Sequence, residues 1–196
     1  MGVFFAIGWF VAMWLGSMVG RLDLILVGFS ATAFAAIWLW RRERLFAWFH
    51  YRPRAILLGA LIGVFFVVSA HVVYPHLPTA LPFVEEGVQS ALQSLSTDSA
   101  WLTLPAIAFG EEILFRGLVF EDLCERWGKR VAYPASVLLY AGAQSGAGIA
   151  LLPGLALGFG LLFAWEAHAT RGLWAPLVTH LIWTPSVVVF FPISAG

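Results

Sequence analysis

Charge is what this sequence has least of. Lys and Arg together number 11 and Asp and Glu 11, so 11% of the 196 residues are charged and the formal net charge is zero. A soluble domain carries roughly a quarter charged residues. The balance of signs gives no basic footprint for nucleic acid and no acidic partner is suggested. Cysteine occurs once, at Cys124, which excludes an internal disulfide. H-E-x-x-H and every other His/Cys ligand cluster are missing, which fits a site without metal or cofactor. The N-terminus has neither a basic leading region nor an A-x-A-like cleavage site, so its apolar stretch reads as a retained span.

What the chain has is hydrophobic length. Apolar residues make up 61%, and the mean hydropathy is +0.87. In lipid only helices or closed barrels satisfy the backbone, and the long apolar runs lack the alternating sidedness of a barrel. The expected fold is therefore all-α: one polytopic transmembrane helical bundle over residues 1–196. At roughly 20 apolar residues per crossing, about seven spans fit. They are marked at Met1–Met18, Leu24–Trp40, Ala55–Tyr74, Trp101–Cys124, Val131–Leu152, Gly154–Ala169 and Gly172–Phe191. The break at Pro153 predicts a tight antiparallel hairpin. Gly142 with Gly146, and Gly154 with Gly158, have the small-xxx-small spacing that lets helices approach closely.

The basic residues set an orientation. Arg41, Arg42, Arg44, Arg52 and Arg54 fall between spans two and three. Arg126, Lys129 and Arg130 fall between four and five, and Arg171 between six and seven. With seven spans these loops share one side, which places the N-terminus inside and the C-terminus outside. Trp38, Trp40, Trp48, Trp101, Trp127 and Trp174 lie near the expected membrane edges, as an aromatic belt requires. Pro75–Ala100 is the longest stretch outside the membrane. Pro75, Pro78 and Pro82 make its start irregular. Val84, Val88, Leu92 and Leu95 then recur at helical spacing opposite Glu85, Glu86, Gln89 and Gln93. This predicts an amphipathic helix, an interfacial connector or alternatively a lid.

Ionisable groups inside a span are costly and point to function. The fourth span reads Phe109-Gly110-Glu111-Glu112-Ile113-Leu114-Phe115-Arg116-Gly117. Glu112 and Arg116 are four apart and can pair. Glu111 points about 100° away and has no partner in its own span. Gln144 and Ser145 interrupt the fifth span. His180 and Thr184 share a face of the seventh. Counted from the inner ends at about 1.5 Å per residue, Glu111, Gln144 and Thr184 reach a common depth of about 18–20 Å. Arg116 and His180 both reach about 12 Å. Polar groups from three helices thus converge on one layer, which points to a site.

Here the sequence resembles the CAAX-processing and bacteriocin-processing (Abi) family of glutamate-type intramembrane endopeptidases, as a divergent member. Glu111-Glu112-x-x-x-Arg116 is similar to its EExxxR motif. Thr170-Arg171-Gly172-Leu173-Trp174-Ala175-Pro176-Leu177-Val178-Thr179-His180 is similar to its stretch leading into the last active-site helix. Tyr140-x-x-x-Gln144 falls where the family has an aromatic, three residues and a His. The likeness covers roughly Leu102–Ser186. It implies a four-helix catalytic core in 101–196, with 1–100 supplying accessory spans and the outer loop. It further implies that Glu111 activates water for attack on a peptide carbonyl, that His180 helps stabilise the oxyanion, and that Glu112 and Arg116 brace the helix. The partners would be the lipid bilayer and a membrane-protein or lipidated peptide substrate. The setting would be a prokaryotic plasma membrane, the role C-terminal sorting or maturation. Two positions depart: the family's middle His is Gln144 here, and its Asn four residues after the last His is Thr184.

Rival readings remain open at this point. Ala143-Gln144-Ser145-Gly146 resembles the G-x-S-G box of rhomboid-type serine proteases, with His180 as base to Ser145. An inactive pseudoprotease that binds a membrane peptide is a second rival, and an ion carrier using Glu111 a third.

Overall fold

The computed structural model describes residues 2–76, 82–95 and 98–193. Every element among them is helical: α1 (Gly2–Val19), α2 (Leu22–Trp48), α3 (Pro53–Val73), α4 (Pro82–Leu95), α5 (Ala100–Glu111), α6 (Phe120–Trp127), α7 (Lys129–Gln144), α8 (Leu151–Thr170) and α9 (Trp174–Pro185). A π-helical stretch, Glu112–Val119, joins α5 to α6 without interruption, and another, Ser186–Phe190, extends α9. The all-α transmembrane bundle is the observed architecture. Among the described residues, four helices are individually long and apolar enough to cross a membrane: Gly2–Val19, Leu22–Trp48, Pro53–His76 and Leu151–Thr170.

Helix ends follow local chemistry. Pro53 opens α3 at a position where its missing N–H has no intrahelical partner. Gly128 separates α6 from α7 at φ +74°, a left-handed conformation that costs glycine nothing. Two expectations need correction here. The hairpin between the fifth and sixth spans exists, but it breaks over Ser145–Ala150, with Gly148 at φ +71°, and not at Pro153. Pro153 sits in the first turn of α8, where the absent N–H would have no acceptor anyway. The second helix also runs beyond Trp40 to Trp48, interrupted by one non-helical residue, Arg41. The basic segment is thus partly a separate helical piece at the bundle's end.

Packing differs from expectation in its glycines. Of the four glycines in the expected pairs, Gly146 alone lies against a neighbour, the Phe10 carbonyl of α1. Gly142, Gly154 and Gly158 have nothing within 4 Å of a Cβ position, because all three face out of the bundle. Close approach falls elsewhere. A Cβ on Gly160 would lie 3.2 Å from Tyr140 and Val137, which seats α8 on α7. A Cβ on Gly63 would lie 2.8 Å from that of Ile182, and one on Gly59 would strike the Ala175 carbonyl. These two glycines let α3 and α9 touch backbone to backbone.

The three basic loops do share one end of the bundle. Arg44 pairs with Glu121 and Glu125, Arg52 donates to the Thr170 carbonyl, and the Leu173 N–H donates to the Trp48 carbonyl. Trp38, Trp40, Trp101 and Trp127 are exposed as belt residues should be. Trp48 and Trp174 are not; their indole N–H groups turn inward to Glu121 and to the Phe49 carbonyl. The amphipathic helix is present as α4, with Val88 buried against the bundle. Pro75 lies in a short 3-10 turn, Tyr74–His76, while Met1 and Pro78 fall outside the described residues.

Candidate active site

The site is built where α5, α7 and α9 face one another. Gly110 permits it: a Cβ there would collide with Ser30 of α2, so only glycine lets α5 sit this deep. The next residue, Glu111, is buried. Its Oε2 accepts from the Tyr140 hydroxyl at 2.8 Å and its Oε1 from the Gln144 amide at 2.6 Å. Both donors come from one face of α7, four residues apart. The common depth of Glu111 and Gln144 thus becomes a direct bond.

Glu112 begins the π-helical stretch and is fully buried. Such widened turns recur at functional sites, and nothing in a sequence pattern announces them. Glu112 Oε1 lies 3.0 Å from His180 Nδ1, and its Oε2 lies 3.6 Å from Arg116 Nε. The expected pairing with Arg116 is present, and Glu112 also fixes the histidine. His180 Nε2 then points toward Glu111, 3.8 Å from Oε2. The imidazole stacks on Phe163 of α8, centroids 4.9 Å apart. The Arg116 guanidinium lies 4.1 Å above the Tyr140 ring, a cation–π contact. Each charged group is thus held by a second one, as buried charges must be.

Glu111, Gln144, His180 and Thr184 all line one cavity of about 170 Å³. Its remaining walls are largely apolar, from Leu104 and Ile107 of α5 to Phe159 and Phe163 of α8. Val88, Leu92 and Leu95 of α4 border it on the far side. Thr184 lies one turn beyond His180, as their spacing predicts. Ser145 is elsewhere: its exposed hydroxyl donates to the Gly142 carbonyl, and it does not line this cavity. His180 has its ring nitrogens directed at two carboxylates, so no Ser145–His180 pair forms. No group of three or more His, Cys, Asp or Glu able to hold a metal occurs among the described residues.

Two polar groups go beyond the sequence expectation. Tyr140 figures in the sequence only as the aromatic before Gln144, yet it binds Glu111 directly. Glu166 of α8 is fully buried and takes the Thr179 hydroxyl at 2.6 Å. The same hydroxyl reaches the Gly59 carbonyl at 3.0 Å. The available signal is an acid inside an apolar span, close enough to the basic end to read as interfacial.

Residues 93–185 match the family model described as type II CAAX prenyl endopeptidase Rce1-like. Over these residues, a little under half of the chain, the sequence is similar to that family. Among curated proteins and among solved structures, none matches. The Rce1-like stretch contains every residue of the site, from Glu111 to Thr184, and this likeness to an endopeptidase family supports an intramembrane protease.

Proposed function

We propose that this protein cleaves a peptide bond in a membrane-associated or lipid-anchored protein, with Glu111 as the base that activates water. The observation that supports this reading best is the setting of the Glu111 carboxylate. It stands at the polar end of an otherwise apolar cavity, oriented by two donors, with His180 3.8 Å away. Each carboxylate oxygen keeps a lone pair beyond the bond it accepts, so a water can dock on it. In the proposed step Glu111 takes a proton as the water oxygen bonds to the scissile carbonyl carbon. The carbonyl oxygen becomes an oxyanion, facing the His180 Nε2–H when both ring nitrogens carry protons. With Glu111 and Glu112 ionised and Arg116 charged, that extra proton makes the four-residue set neutral. Collapse breaks the C–N bond, and the leaving amine receives the proton held by Glu111. Two peptides result, and no cofactor enters the step.

The remaining residues have supporting parts. Glu112 orients His180, and Arg116 holds Glu112. Gln144 cannot act as a base, but its amide donates to Glu111 and retains a second N–H for water or oxyanion. The Thr184 hydroxyl offers a donor in the same cavity. The catalytic core is read as 101–196, with 1–100 accessory. The bundle is read as seven crossings in a prokaryotic plasma membrane, basic end and N-terminus cytoplasmic.

The family description names a prenyl endopeptidase, and the mostly apolar cavity suits an aliphatic chain or a hydrophobic C-terminal anchor. Maturation or sorting of protein C-termini is the matching role. The test is to reconstitute the full chain in nanodiscs with a farnesylated C-terminal peptide or an unprenylated transmembrane peptide, and to weigh the products. Two fragments from one internal cut are expected. Retention of either peptide without any fragment, by a folded protein, would favour the inactive, peptide-binding reading.

A further inference from the structure

A second cavity, of about 590 Å³, opens at the basic end of the bundle. It lies between α6, α7 and α8 and under the loop after α8. It shares Arg116 with the candidate site, but none of Glu111, Gln144, His180 or Thr184 lines it. Its charged lining is unbalanced. Arg116, Lys129 and Arg171 face it, together with His168 and with Ser136, whose hydroxyl donates to the Tyr133 carbonyl at 3.0 Å. The one acid in the lining, Glu121, is already engaged by the Trp48 indole N–H at 2.7 Å and by Arg44 at 3.4 Å. Lys129 and Arg171 have no ion-pair partner among the described residues. At the buried wall, both Nη atoms of Arg116 lack a hydrogen-bond partner, although its Nε faces Glu112.

A cavity between membrane helices with spare positive charge and unpartnered guanidinium nitrogens calls for an anion. Its level strengthens the case. It sits among the basic loops, where anionic phosphate headgroups lie against a membrane protein. Its volume exceeds that of a phosphate group and leaves room for headgroup substituents.

We infer that this cavity is a binding site for a phosphate-bearing anion at the level of the lipid headgroups. Lys129 and Arg171 contact the phosphate, and Arg116 supplies positive charge from the buried wall. Binding there is independent of the protease reading, because it uses no property of Glu111.

The test compares unfolding midpoints of the full chain in nanodiscs of phosphatidylcholine alone, of phosphatidylcholine with phosphatidylglycerol, and of phosphatidylcholine with added inorganic phosphate. The cavity variant is Lys129→Gln with Arg171→Asn; Asn tolerates the left-handed backbone at 171, φ +53°. The control is Arg42→Gln with Arg54→Gln, which removes two exposed charges from the same end but outside the cavity. Phosphatidylglycerol should raise the midpoint of the wild type and of the control, and leave the cavity variant unmoved. Native mass spectrometry should show one phospholipid retained by the first two and lost from the third. The same residue dependence with inorganic phosphate alone would assign the site to the free ion. Equal stabilisation of cavity and control variants would mean a diffuse surface attraction and overturn the inference, as would no response to either phosphate source. Each protein is referred to its own midpoint in phosphatidylcholine, so the shift remains readable in a variant of lower intrinsic stability.

Discussion

At the residue scale, the two bonds on Glu111 decide most. A hydrogen bond to a charged group contributes about 1.5–3 kcal/mol, equivalent to roughly 10- to 100-fold in rate if it is used in the transition state. Tyr140→Phe and Gln144→Ala should therefore each lower kcat by about that factor, with a smaller change in KM. Gln144→His should keep far more activity than Gln144→Ala, because an imidazole N–H can replace the amide donor; equal loss in both would remove Gln144 from the site. Glu166 makes a different case. The Thr179 hydroxyl has one proton and faces two oxygens, on Glu166 and Gly59, so a carboxyl bearing its own proton completes the chain. Glu166→Gln keeps a donor there and should hold the unfolding midpoint, whereas Glu166→Ala should lower stability by about 1–3 kcal/mol through the lost hydrogen bond and the lost volume. A midpoint loss as large in Gln as in Ala would contradict this.

Some of these residues are legible in the sequence and some are not, for physical reasons. Depth counting brings Glu111 and Gln144 together because rise per residue is fixed in any helix. It sets His180 at a different level, yet the imidazole and the Glu112 side chain bridge the gap. Tyr140 does not stand out, because a tyrosine in an apolar span has an ordinary packing role. Glu166 does not stand out either, because an acid near a helix end normally finds water.

At the element scale, the π-helical stretch and the glycine contacts place the helices that carry the candidate site. Neither shows in hydropathy, which records how apolar a helix is and not which face it turns inward. Spacing alone selects Gly142, Gly154 and Gly158, all of which face outward. Gly59 and Gly63 set the α3–α9 contact instead. Gly63→Val should force α9 outward and cost about 1–3 kcal/mol, as overpacking does. The measurement is the unfolding midpoint, and an unchanged midpoint with full activity would deny that α3 supports the site. Pro153 misleads for a related reason: a proline marks a helix start as readily as a helix stop.

For the whole molecule, the fold class is the most readable property. A sparsely charged, strongly apolar chain has few ways to satisfy its backbone in lipid, and helices follow. Orientation rests on the common end of the three basic loops. In a Cys124→Ala background, Gln93→Cys on α4 should react with an impermeant thiol reagent in intact cells. Arg42→Cys should react only after permeabilisation. The reverse pattern would invert the bundle.

In the proposed mechanism, catalysis turns on one carboxylate. The most direct measurement is the cleavage rate of a reconstituted membrane substrate by wild type and by Glu111→Gln, at matched amounts of folded protein. Gln keeps the size and the hydrogen-bonding reach of the side chain but cannot take a proton from water. If Glu111 is the base, cleavage disappears while substrate retention and the unfolding midpoint are preserved. Cleavage at the wild-type rate by Glu111→Gln would contradict that role.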